Sequence, residues 1–125
     1  MTNSDDLANQ LIEEMDPVLK DFIRTRVNSF IKWDLVRFFH DNPHTTDTAE
    51  NIARYTGRDP RVVEPELEQL AKARVLEVTH LNEMTVYSYG SDRQAQQLIH
   101  DFLLACNDRQ FRVKALYQVI MGMVG

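Results

Sequence analysis

Cysteine is nearly absent from this sequence: Cys106 is the only one among 125 residues. A single cysteine excludes an internal disulfide and a zinc site built from several cysteines. On an apolar helical face, Cys106 is more often a small core residue than a nucleophile.

Long apolar runs are also missing, since no stretch approaches the roughly 20 residues that a membrane-spanning helix requires. The first six residues, MTNSDD, are polar and acidic, unlike a secretory signal. These features predict a cytoplasmic protein without a membrane partner.

Basic residues are in the minority. The chain has 14 lysines and arginines against 19 aspartates and glutamates, which gives a net charge of −5. This balance argues against a surface that is generally coated with positive charge for nucleic acid. With 43% hydrophobic residues, the chain is long enough to bury a core of its own.

Catalytic motifs are missing as well. We find no glycine-rich phosphate loop, no Ser-His-Asp order and no pair of catalytic carboxylates. His40 and His44 are four residues apart, but Pro43 breaks the helix that would place them on one face. His80 and His100 are isolated in sequence and are interpreted as a half-buried strand residue and a surface helix residue. The chain is therefore predicted not to be an enzyme, and no metal or cofactor is expected.

The segment Thr46–Tyr89 has the order helix, turn, helix and hairpin. Asp47 with Glu50 three residues later forms a capping box for a first helix, which ends at Gly57. Asp59-Pro60 supplies an N-cap and a proline at the first position of a second helix. The predicted helices run over Asp47–Thr56 and Pro60–Ala73.

Two β-branched runs follow the second helix. They cover Val75–Leu81 and Thr85–Tyr89 and are separated by Asn82-Glu83, which predicts a two-stranded hairpin. The second helix carries an apolar stripe at spacings of i, i+4 and i+7, formed by Val63, Leu67 and Leu70. This stripe is expected to face the core.

Amphipathic helices precede this segment. An apolar stripe runs from about Asp5 to Ile23, with Asp16-Pro17 inside it as the expected restart of a helix. Its members are Leu7, Leu11, Met15, Val18 and Phe22. A further helix from about Val27 to His40 is apolar nearly all round, so it must be buried on both sides. Trp33 is then covered either by the terminal helices of the same chain or by a second subunit.

The C-terminal part is also amphipathic. Ser91 with Gln94 forms a capping box for a helix that begins at Arg93. Asn107-Asp108 either caps a new helix or lies on the exposed side of one long helix. The apolar surface of residues 91–125 must pack on the N-terminal helix, on a second copy of the chain or on both. We predict a homodimer interface that contains Phe30, Trp33, Phe102, Leu116 and Ile120.

The sequence AENIARYTG at residues 49–57, with the apolar stripe and Val75-Leu76, resembles the helix-turn-helix of winged-helix transcription regulators. The flanking helices are similar to those of the dimeric MarR and ArsR types. The resemblance implies a mainly α fold with a small β-hairpin, a winged helix-turn-helix with added N- and C-terminal helices. Residues 1–26, 27–90 and 91–125 would form the N-terminal extension, the winged-helix domain and the dimerisation segment. The family usually has glycine where this chain has Arg74, so a different helix exit is expected here.

In such regulators the outer face of the second helix enters the major groove. Here that face has mixed charge, since two glutamates and a proline accompany Arg61 and Lys72. Between Thr46 and Tyr89, five basic residues stand against eight acidic ones, and the hairpin has no lysine or arginine. The run Glu64, Glu66 and Glu68 is interpreted as a solvated helix face. The residues expected at DNA are Arg54, Arg58, Arg61, Glu64, Glu68 and Lys72.

Two hypotheses remain at this point. The first is a homodimeric DNA-binding regulator that places helix 60–72 in the major groove. The second is a winged-helix module that binds or assembles proteins and does not bind DNA. The acidic second helix, the hairpin without lysine or arginine and the apolar terminal helices favour the second hypothesis.

Overall fold

The structure, a computed structural model, describes residues 15–124. The predicted stripe residues Leu7 and Leu11 lie outside this range. The described chain is mainly α-helical, with six helices and one small antiparallel sheet. In chain order the elements are α1 (Pro17–Thr25), α2 (Phe30–Asp41), β1 (Thr46–Asp47), α3 (Ala49–Thr56), α4 (Pro60–Lys72), β2 (Leu76–Leu81), β3 (Met84–Tyr89), α5 (Arg93–Ala105) and α6 (Arg109–Val124).

Helix α1 begins where the proline predicts a restart. The Asp16 carboxylate accepts a hydrogen bond from Val18 N at 2.8 Å, and Pro17 occupies the first helical turn. Helix α2 begins at Phe30 because Ser29 caps it, accepting from Lys32 N at 3.0 Å. The predicted start at Val27 is therefore three residues too early. Val27 is nevertheless buried, in the link between the two helices.

The N-cap of α3 is Thr48, so the predicted Asp47–Glu50 capping box is wrong. Thr48 Oγ1 accepts from Asn51 N at 3.3 Å. Asp47 is instead extended, because it pairs with Tyr87 across β1 and β3. Its carboxylate accepts from Asn51 Nδ2 at 2.7 Å and from Thr48 N at 2.8 Å. These hydrogen bonds lower the pKa of Asp47 below its usual value.

Helix α4 begins as predicted: the Asp59 side chain accepts from Arg61 N at 2.8 Å. The end of α4 differs from the prediction of an unusual helix exit. Arg74 takes the left-handed conformation that glycine usually adopts there, with a φ of 64°. Val75 N donates to Leu70 O at 2.9 Å and Arg74 N donates to Ala71 O at 3.1 Å. These two bonds form a Schellman motif, which satisfies the last carbonyls of the helix.

The hairpin is confirmed, and it has a third strand. Strands β2 and β3 pair antiparallel up to Leu81 and Met84, with the turn at Asn82-Glu83. The short strand β1 pairs with the other edge of β3, which gives the order β1-β3-β2. The sheet therefore ties the chain before α3 to the chain after α4. A two-residue strand is too short for its alternation to be recognised in sequence.

Two separate helices complete the chain. The predicted Ser91 cap of α5 is wrong, because Ser91 Oγ donates to Glu77 at 2.6 Å and Asp92 caps the helix instead. Asp92 Oδ1 accepts from Gln94 N at 3.0 Å. Asp108 then caps α6 by accepting from Phe111 N at 3.1 Å, so residues 91–125 do not form one long helix.

The terminal helices cover the aromatic core within one chain. Trp33 is 6% exposed, and its ring centroid lies 5.0 Å from that of Phe102, which is fully buried. Phe22 of α1 lies 5.7 Å from Phe102 on the other side. Helix α1 also packs on α6. Of the two alternatives for Trp33, the structure shows cover by the same chain, so Trp33 and Phe102 are not on a surface that a second subunit could reach.

Candidate nucleic-acid interface

Helix α4 has one buried and one exposed face. Its predicted stripe of Val63, Leu67 and Leu70 is completely buried. The opposite face is exposed along its length, and no other described element covers it. Arg61, Glu64, Pro65, Glu68 and Lys72, which the spacing places on this face, are all exposed. Their arrangement leaves two carboxylates on the part of the helix that would approach a partner.

Arg58 is engaged within the chain. Its Nε donates to Asp34 Oδ2 at 3.0 Å, and its Nη2 bonds the same oxygen. Asp34 belongs to α2, so this ion pair fixes the turn between α3 and α4 to the preceding helix. A phosphate contact would require Arg58 to give up both of these hydrogen bonds to one carboxylate oxygen, which makes it a positioning residue for the turn. The expected role at DNA is not supported by this geometry.

Arg61 remains accessible although it is paired. Its Nη2 lies 2.8 Å from Asp59 Oδ2, and its side chain is 89% exposed. The hydrogen bonds from Arg61 lower the pKa of Asp59. Exposed pairs of this kind contribute little to stability because water screens them, so the guanidinium can exchange its partner for a phosphate. Among residues 15–124, Arg54 and Lys72 are exposed and have no ion pair.

A groove of about 340 Å³ separates α4 from the hairpin. Glu64 and Glu68 line it from the helix, and His80 and Tyr87 line it from the sheet. Burial, and then the charges of Glu68 and Glu64, raise the pKa of Tyr87, so its hydroxyl stays neutral. Val78 also lines the groove from the sheet, and Lys72 lines it from α4. Leu81 and Met84 are exposed on the opposite face of the hairpin, because side chains alternate along a strand. Two carboxylates and one ammonium group leave the groove weakly acidic.

Glu66 does not belong to a solvated face, so the interpretation of the three-glutamate run is wrong at this position. Its Oε2 lies 3.2 Å from Nζ of Lys32, whose side chain is only 8% exposed. Lys32 directs its hydrogen bonds at Asn28 Oδ1, 2.6 Å away, and at Gln69 Oε1, 2.5 Å away. Glu66 therefore supplies charge to the ammonium group rather than a hydrogen bond. The role of Lys32 was not predicted from the sequence, although a lysine inside an otherwise apolar helix is a signal for a buried, paired ammonium group.

The five residues expected at a dimer interface are not brought together. Trp33 and Phe102 are interior, whereas Phe30, Leu116 and Ile120 are exposed. Leu116 and Ile120 belong to an exposed stripe on α6 that also contains Val113 and Met123. We call these four residues the α6 stripe. Its spacing of three, four and three residues places it along one side of the helix.

No helix in the described part of the chain is long and apolar enough to cross a membrane. In comparisons with known proteins, no family model, no curated protein and no solved structure matches this chain.

Proposed function

We propose that this chain is a winged-helix transcription regulator of the cytoplasm that binds DNA as a homodimer. In this proposal α4 is the recognition helix and the β2–β3 hairpin is the wing. The observation that carries it is the exposed outer face of α4, which follows a tight turn and lies beside the hairpin. A helix presented in this way can enter a major groove while the preceding helix crosses the backbone.

The charges define which contacts such a complex would use. Arg54, Arg61 and Lys72 are the accessible cations on α3 and α4, and they would contact phosphates. Glu64 and Glu68 would face the groove, where a glutamate can accept a hydrogen bond from a cytosine amino group but repels phosphate. With three cations and two opposing carboxylates, binding is expected to be modest and strongly dependent on salt.

The test is fluorescence anisotropy with the full chain and mixed-sequence duplex DNA at low and at physiological salt. Replacing Lys72 with glutamine should weaken binding to all sequences alike and reduce the salt slope by about one. The double variant Glu64→Gln, Glu68→Gln should bind more tightly, since it removes two charges that phosphate repels. Arg24→Gln on α1 is the matched control and should change nothing. Absence of binding at low salt, with the double variant as well as the native chain, contradicts the proposal.

The acidic groove favours a second function, recognition of a protein. Glu64 and Glu68 beside the exposed Val78 would complement a basic segment that carries an apolar side chain. The same double variant separates the two functions, because it should tighten binding to DNA but weaken binding to a lysine-rich amphipathic peptide. Anisotropy with such a peptide, labelled and titrated at physiological salt, provides the measurement.

A further inference from the structure

A second cleft lies apart from α4 and the hairpin. It has a volume of about 590 Å³ and is formed by the C-terminal halves of α2 and α5 and the first turns of α6. This volume is within the range of small-molecule sites, about 300–1,000 Å³. The cleft is lined by these polar residues: Arg37, His40, Asp41, His100, Cys106, Asn107 and Arg112.

Two imidazoles meet at one side of the cleft. His40 Nε2 lies 3.3 Å from His100 Nδ1, and the rings stack with centroids 5.5 Å apart. His40 Nδ1 lies 3.1 Å from Asp41 Oδ1. An ionised carboxylate can only accept, so His40 donates from Nδ1 to Asp41. In the neutral imidazole, Nε2 of His40 then accepts from His100 Nδ1. The Asp41 charge is thereby already engaged by an N–H group of the protein.

The other side of the cleft is positively charged. Arg112 Nη1 donates to Cys106 O at 3.0 Å, which leaves further N–H groups of this guanidinium for a ligand. Arg37 is exposed and has no ion pair among residues 15–124. Two arginines against one carboxylate give the cleft a net charge of +1 before either imidazole is protonated.

The Cys106 thiol does not alter this charge. Burial raises the pKa of Cys106 to about 11 against the opposing effect of Arg37 and Arg112, so the thiol is neutral at physiological pH. Apolar surface lies beside the charged groups, because Leu103 and Leu104 also line the cleft. The cleft thus combines donors for an oxyanion with a place for a hydrophobic group.

We propose that this cleft binds a small organic anion. Its carboxylate or phosphate group contacts Arg37 and Arg112, and its apolar part lies on Leu103 and Leu104. Guanidinium groups bind both kinds of oxyanion through paired N–H donors. A metal ion fits less well, because the described residues contain no group of three histidine, cysteine, aspartate or glutamate side chains placed to hold one.

The test is an NMR titration of the ¹⁵N-labelled full chain with benzoate and with phenyl phosphate, using benzyl alcohol as the uncharged control. Either anion should give saturable shifts at the amides of Arg37, His100 and Asn107, and the alcohol should not. Arg37→Gln should weaken binding about tenfold, since it removes one charge-assisted pair. Arg24→Gln on α1 is the matched control and should leave the affinity unchanged.

Binding of one anion but not the other identifies the head group and supports the proposal. No saturable shift with either anion, shifts confined to α4, or equal affinity in Arg37→Gln overturns it. Saturable shifts at His40 and His100 with Zn²⁺ alone, without an effect of either anion, would also overturn it. None of these outcomes depends on DNA binding.

Discussion

At the residue scale, two helices end in a left-handed residue, but only one of these residues is glycine. Gly57 has a φ of 71° after α3, and Arg74 has a φ of 64° after α4. Both ends have Schellman hydrogen bonds, with Arg58 N on Ala53 O at 2.9 Å in the first and Val75 N on Leu70 O at 2.9 Å in the second. The Schellman motif therefore requires a left-handed residue at the helix end, and at Arg74 the chain adopts this conformation at a cost of about 1 kcal/mol.

Relieving this strain should stabilise the protein. We expect Arg74→Gly to raise the free energy of unfolding by about 1 kcal/mol and the Tm by about 3–5 °C. Gly57→Ala should lower the free energy of unfolding by a similar amount, because a Cβ there meets open space and only the backbone is strained. Thermal and urea unfolding measure both changes. A destabilised Arg74→Gly would show that the arginine side chain contributes more than the backbone strain removes.

Gly90 is needed for a different reason, the close approach of two backbone segments. A Cβ at Gly90 would lie 2.8 Å from Val75 O and 2.9 Å from Arg74 O, and its own N–H donates to Val75 O. Gly90→Ala should destabilise the protein by about 1–3 kcal/mol, because backbone has to shift. Gly122→Ala is the control: it meets no atom within 4 Å on α6 and should be neutral or stabilising by up to about 1 kcal/mol. Equal effects of the two changes in urea unfolding would contradict this explanation.

At the scale of elements, a buried ammonium group joins α2 to α4. Lys32 donates hydrogen bonds to Asn28, just before α2, and to Gln69 on α4, and it forms an ion pair with Glu66 on α4. Ser29 Oγ also donates to Glu66 Oε1 at 3.2 Å. This network fixes the position of α4, and with it the direction of the exposed face that would contact DNA. The pair of Arg58 with Asp34 adds a second attachment of the turn to α2.

Removing the charge of Glu66 should loosen this attachment. Glu66→Gln leaves Lys32 with less compensation in a buried position, so we expect a loss of about 2 kcal/mol. Glu64→Gln, two residues earlier on the exposed face, should stay within about 0.5 kcal/mol of the native chain. The comparison is made by urea unfolding at pH 7. If Glu66→Gln and Glu64→Gln lower the free energy of unfolding by the same amount, the ion pair does not contribute to stability.

The element pattern was largely predictable from the sequence, but the pairings between elements were not. Apolar spacing identified the buried stripe of α4, and Asp59-Pro60 identified its start. The cap of α3 was misplaced by one residue because strand β1 extends the backbone at Asp47, and its pairing partner Tyr87 is 40 positions away in the sequence. Glu66 and Lys32, or His40 and His100, are likewise distant in sequence, so composition and spacing do not reveal that they meet.

At the scale of the whole molecule, the terminal helices have two roles. Their inner sides complete the core around Trp33 and Phe102, which removes these residues from the proposed subunit interface. Their outer side still presents the α6 stripe to solvent. A stripe of four apolar residues on one side of a helix is the kind of surface that a second copy of the chain covers in a two-fold arrangement.

The homodimer can be tested by disrupting this stripe. Val113 on the stripe and Val62 on α4 are each 47% exposed, so aspartate at either position has a similar effect on the isolated chain. We expect the native chain to sediment at micromolar concentration with about twice the 14.6 kDa of one chain. Val113→Asp should shift it to the monomer, since a carboxylate buried between two helices lacks a partner. Val62→Asp should remain dimeric, because in the proposed function α4 would contact DNA rather than the second subunit. A native chain that sediments as a clean monomer rules out the dimer, and dissociation by Val62→Asp alone would place the interface on α4, where it would compete with DNA.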